Sequence, residues 1–147
     1  MKTYKKISTC LLGLMLLLSL ISCKDEETVA PVPSKTDLLT SGEWTGTSIY
    51  HKGEDITEVI MSTEYFDIRN VKIKFHKGGT YEDNNNGIIS NGKWEFADNE
   101  QIIIIDKGTQ DEWQLPITKL TGQELYLIDW FYNGENEKIE GEMRFKR

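Results

Sequence analysis

From Glu43 onward, apolar and polar residues alternate with a period of two, and turn signals interrupt the alternation every 8–12 residues or so. EWTGTSIYH, Glu43 to His51, reads as the first strand. VKIKF puts Val71, Ile73 and Phe75 on one face and Lys72 and Lys74 on the other. Thr80 to Asp83 returns after Lys77-Gly78-Gly79, and Asn86-Gly87 is the dipeptide of a type I′ hairpin. GKWEFAD places Trp94 and Phe96 together, and EWQLPITKL turns Trp113, Leu115 and Ile117 inward, with Pro116 on the opposite parity, where an edge or a bulge suits it. QIIIID and ELYLIDWFY are apolar on both faces. After Asn133-Gly134, Ile139, Gly141, Met143 and Phe145 share a face.

Seven to nine short strands with hairpin-length links predict an all-β domain built by sequential antiparallel pairing. Curling such a meander into an up-and-down barrel removes its open edges, with a half-barrel or sandwich as the alternative. Two segments depart from the strand pattern. Asp37 to Thr40 fits one helical turn capped by Asp37 or Thr36, and Lys52 to Asp55 reads as a turn. In Ile56 to Asn70, ITEVIM fits a strand, while STEYFDI fits a short helix or a loop over a barrel mouth.

The chain opens differently. Lys2, Lys5 and Lys6 precede an apolar run from Ile7 to Ile21. A basic start followed by an apolar stretch of about 7–15 residues is the pattern of a secretory signal, whereas a spanning helix needs about 20. Leu20-Ile21-Ser22-Cys23 resembles the lipobox of bacterial lipoproteins. That resemblance implies residues 1–22 as a removed signal peptide, a diacylglycerol thioether on Cys23, and acylation of the new amine. Several acyl chains make membrane attachment stable where one is marginal. Lys24-Asp25-Glu26-Glu27 resembles the export tag that sends some lipoproteins to the outer leaflet of the outer membrane, against the plainer reading of a solvated linker. TVAPVPSKT, Thr28 to Thr36, reads as an extended tether, so residues 23–36 form a lipidated linker and 37–147 the folded domain.

Charge and cysteine content narrow the function. Residues 1–22 hold three of the 17 Lys+Arg and none of the 24 Asp+Glu, leaving a 125-residue remainder with a formal charge of −10. Such a chain has no basic stripe for phosphate, which excludes nucleic acid as a partner. With Cys10 in the signal peptide and Cys23 lipidated, no disulfide and no cysteine nucleophile remain.

Gly42-Glu43-Trp44 after a helical turn, the Phe75-to-Tyr81 hairpin with Gly78-Gly79, a second Gly-x-Trp at Gly92 to Trp94, and ITKLTGQELYL at Ile117 to Leu127 resemble, in their order, the lipocalin-like domains of small bacterial lipoproteins. The resemblance spans Leu38 to Lys146. It implies a small barrel whose first-strand tryptophan, Trp44, plugs the closed end, with an arginine from near the chain end packed over it. Arg144 is the candidate, although its parity with Met143 and Phe145 directs it outward unless a bulge intervenes.

Candidate chemistry is sparse. His51 and His76 lack the close spacing of metal ligands. The run Glu82 to Gly87 hints at a calcium loop, but neither frame supplies the closing glutamate, and the hairpin reading prevails. No G-x-S-x-G elbow and no glycine-rich phosphate loop occurs. The chain is therefore read as a binder and not an enzyme, with no cofactor and no metal. Tyr65, Phe66, Asp129 and Trp130 are the expected ligand-lining residues. Asp129 shares parity with Leu125, Leu127 and Phe131 and so points into the barrel unless a bulge turns it out. Trp130 and Tyr132 take the other face. The expected partners are the membrane, through Cys23, and a small apolar or amphipathic ligand. The alternative is an accessory surface module that meets a protein or glycan through exposed aromatics. The chain is read as a monomer at the outer membrane.

Overall fold

The computed structural model describes residues 31–64 and 66–147. The segment expected as a signal peptide, Cys23, the expected linker as far as Ala30 and the ligand candidate Tyr65 lie outside the described residues. Pro33 to Arg147 belong to one unit.

Alternation in the sequence becomes nine strands: β1 (Glu43–His51), β2 (Glu54–Asp55), β3 (Val71–Phe75), β4 (Thr80–Asn85), β5 (Ile88–Ala97), β6 (Ile102–Ile105), β7 (Trp113–Leu120), β8 (Glu124–Tyr132) and β9 (Lys138–Lys146). Apart from β2, each pairs antiparallel with the next along the chain from β3 to β9; β1 pairs with β3, and β9 returns to β1. Eight strands thus close a barrel, and β2 adds only Tyr50↔Asp55 and His51↔Glu54 at the end of β1. The closing seam runs from Thr45↔Lys146 to Tyr50↔Glu142, with a bulge between Gly46 and Ser48. That bulge lets β1 bend from β3 toward β9, and the Thr47 hydroxyl donates to the carbonyl of Arg144 across it.

Turn chemistry follows the sequence in most places. Asn86 and Gly87 both take positive φ, 52° and 89°, as a type I′ hairpin needs. Pro116 faces Ile102 one residue before the β7–β8 register shift, so its missing N–H falls beside an irregularity. After β8 the left-handed residue is Asn136, φ 62°, within a longer turn closed by Asn133 N–H on the Glu137 carbonyl.

One barrel end is closed by α1 (Lys35–Thr40). Its cap is Ser34 and not the expected Asp37 or Thr36. The Ser34 hydroxyl accepts from Asp37 N–H at 3.0 Å, while the Asp37 carboxylate accepts from Ser34 N–H, a reciprocal capping box. Leu39 is fully buried beneath the turn, and its carbonyl accepts the Trp44 indole N–H at 2.9 Å. Phe75, Trp94, Leu125 and Phe145 belong to the same buried core as Leu39 and Trp44.

The other end carries the segment with two open readings. It is helical: α2 (Thr57–Glu64) is followed by a 3-10 turn, Ile68–Asn70, so the strand reading of ITEVIM is overturned. Thr57, Val59, Ile60 and Thr63 are β-branched and favour strands locally. Tertiary anchors decide otherwise. Ile60 is fully buried, Ile49 N–H donates to the Thr57 hydroxyl at 2.9 Å, and the Thr63 hydroxyl donates to the Tyr132 carbonyl at 3.1 Å. The helix therefore crosses from β1 to β8.

Candidate functional site

Inward positions near the middle of the barrel line a half-open cavity of about 180 Å³. Ile73 of β3, Tyr81 and Asp83 of β4, Ile105 of β6, Leu115 of β7 and Met143 of β9 line it, with Phe66 reaching in from the segment after α2. An apolar cavity of roughly 150 Å³ accepts a molecule the size of benzene. Phe75, itself in the wall, stacks edge-on against Trp94, which stacks in the same way on Phe96, at 5.6 and 5.2 Å between centroids, and Ile73 sits opposite Asp83 across the β3–β4 pair.

Two polar groups reach this chamber. The Tyr81 hydroxyl donates to Asp106 at 3.0 Å, and the Asp106 carboxylate also accepts the Lys93 N–H at 2.7 Å. Gly92 makes room for that carboxylate, which a Cβ there would overlap. Burial, reinforced by the Asp106 contact, pushes the Tyr81 phenol up to about 12, so it stays a neutral donor. Asp83 is different. Its Oδ1 is buried and has no hydrogen-bond partner among the described residues, and Oδ2 meets only the Ser90 hydroxyl, at a long 3.4 Å. Burial pushes its carboxyl up, weakly opposed by that hydroxyl.

The expected lining residues separate. Phe66 lines the cavity and packs on Phe131, 6.2 Å between centroids. Asp129 does face inward, opposite Gly141, but it lies at the rim and not in the cavity wall. Its Oδ1 accepts the Trp113 indole N–H at 3.1 Å and the Trp130 N–H at 2.7 Å. Burial raises its carboxyl against the pull of these two donors. Trp130 points outward, 53% exposed, with Tyr132 beside it at 49% and the Lys138 ammonium 5.4 Å from the Trp130 ring.

The arginine over Trp44 is Arg147, its guanidinium 4.0 Å from the ring centroid. Arg144, expected there, instead points outward as its parity requires. It lies between Tyr50 and Tyr126, at 3.6 and 4.8 Å, and donates to Glu142. A hollow of about 510 Å³ on this outer wall holds Tyr50, His51, Glu140 and Arg144, and in it the His51 ring meets the Glu140 carbonyl at 2.6 Å. His76 pairs with Glu82 at 3.4 Å, and among the described residues no three His, Cys, Asp or Glu side chains are grouped to hold a metal.

Sequence reasoning passed over Asp83, Tyr81 and Met143 as site residues. The signal was present: TYEDNN alternates, so Tyr81 and Asp83 share the face that meets Phe75 and Ile73. In the sequence this strand is read to end at Asp83, and the run Glu82 to Gly87 is weighed only as a calcium loop or a hairpin, which leaves the inward parity of Asp83 unused.

No family model matches the chain, and no curated protein matches it. Among solved structures it is similar to the crystal structure of a DUF4847 family protein from Bacteroides vulgatus ATCC 8482. The two are 14% identical with a TM-score of 0.48, over 77% of this chain and 96% of that one.

Proposed function

We propose that this chain is a lipid-anchored lipoprotein whose lipocalin-like barrel holds a small apolar or amphipathic ligand. The observation that carries the reading is the cavity of about 180 Å³ inside a closed eight-stranded barrel, since barrels of this size either fill completely with side chains or keep room for one small ligand. The lipocalin-like part is supported by the helical turn over Trp44 and by Arg147 stacked on the same indole at the closed end. The anchor is supported by Leu20-Ile21-Ser22-Cys23 after the apolar run. The acidic residues after Cys23 favour the outer membrane, and no catalytic step is assigned. Native mass spectrometry of the protein purified from its own host tests this. A retained small molecule and a lipid mass on Cys23 are expected. A ligand-free protein with an unmodified Cys23 would sink both halves.

The exposed pair Trp130 and Tyr132 favours a second reading, an accessory module that meets a protein or glycan through its outer face. In the same measurement, a co-purified protein and an empty barrel support it.

A further inference from the structure

Asp83 sits where a carboxylate is expensive. Phe66, Ile73, Ile105 and Met143 line the same cavity, and among the described residues no lysine, arginine or histidine lines it. A buried charge is stable only when paired and hydrogen-bonded, and an acceptor left without a donor carries its full desolvation cost. Asp106, which holds the Tyr81 hydroxyl from outside this space, is already satisfied by that hydroxyl and the Lys93 N–H. One carboxylate oxygen at the wall of this space, Asp83 Oδ1, is thus buried without a donor among the described residues.

Resting on the ligand-chamber reading above, we propose that the barrel selects small amines: an ammonium group donates to Asp83 Oδ1, and a compact apolar body packs against Ile73, Ile105 and Met143. Three features of the site fit that class. An ammonium supplies both the missing donor and the missing positive charge, whereas a hydroxyl supplies only the donor and a carboxylate repels. A cavity of about 180 Å³ admits a single ring with a short arm and excludes a long acyl chain. Phe66 and Tyr81 present aromatic groups near the same space, where a cation is favoured over their faces.

Calorimetric titration with benzylamine and with benzyl alcohol, matched in shape and different in charge, tests the proposal in the wild type, Asp83→Asn and Ile105→Phe. Benzylamine is expected to bind the wild type at least about tenfold more tightly than the alcohol, since a hydrogen bond between charged groups is stronger than one from a neutral donor. Asp83→Asn is expected to erase that preference while leaving the alcohol unchanged, and Ile105→Phe to abolish both by filling the space. Equal affinity of the two probes in the wild type, abolished by Ile105→Phe, overturns the amine selectivity and leaves the chamber standing. Binding of neither probe, or binding indifferent to Ile105→Phe, overturns the chamber itself.

Discussion

Arg147, the last residue of the chain, lies over the indole of Trp44 near the start of the first strand, 4.0 Å from guanidinium carbon to ring centroid. The guanidinium also donates to the Gly122 carbonyl, at 2.7 and 3.1 Å, and to the Ser41 hydroxyl. Gly42 is part of this arrangement, because a Cβ there would come within 2.9 Å of the arginine Cδ. One side chain therefore ties α1, the start of β1 and the β7–β8 turn together over a fully buried tryptophan.

Arg147→Ala is accordingly expected to lower the unfolding free energy by about 1–2 kcal/mol, from a partly desolvated cation–π contact and lost carbonyl bonds. Arg144→Ala, on the outer wall, is expected to cost at most about 1 kcal/mol. Urea unfolding of the two variants measures the difference, and equal losses would place the closed-end function elsewhere.

Asp83 makes stability depend on pH in a direction opposite to most carboxylates. Burial raises its folded value above the ordinary aspartate value of 3.8. Stability from this group is then fully present below 3.8 and falls as pH rises through the folded value. Asp83→Asn removes that loss, so it is expected to stabilise the protein at pH 7 and to show little advantage near pH 3. Unfolding midpoints at the two pH values check the sign.

Asp37 behaves in the ordinary sense. The Lys77 ammonium, 2.6 Å away, and the Ser34 hydroxyl hold its carboxyl down at about 2. Its contribution is present above 3.8 and is lost as pH falls through about 2. An NMR titration should place its midpoint near that value, and Ser34→Ala should raise it while costing about 1 kcal/mol through loss of the cap.

Gly46 is required by close approach. A Cβ there would overlap the Ile68 carbonyl, which is backbone and cannot swing aside. Gly46→Ala is expected to destabilise by roughly 1–3 kcal/mol and to loosen the Ile68–Asn70 turn, giving faster proteolysis between residues 56 and 70. Unchanged cleavage there would show that the turn does not depend on the bulge.

Strands whose two faces differ were legible from alternation alone: β1 and β3 have the bounds that EWTGTSIYH and VKIKF suggest. Helix α2 was not, because Thr57, Val59, Ile60 and Thr63 suit a strand and only contacts with β1 and β8 make them helical. β2, two residues long, carries no periodicity to read. At the site, Phe66 was legible as an aromatic over the mouth. Asp83 was hidden among asparagines, where local turn propensity masked its inward parity. Arg147 lies just past the last alternating strand, so parity could reject Arg144 without pointing to its replacement.

The barrel interior as a ligand chamber is tested most directly by methyl NMR of isoleucine- and methionine-labelled protein titrated with toluene, a neutral probe that does not depend on Asp83. Ile73, Ile105 and Met143 are expected to shift together and saturate, while Ile88 and Ile89 at the exposed hairpin tip stay in place. Shifts confined to Ile88 and Ile89, with the three interior methyls silent, would contradict the account.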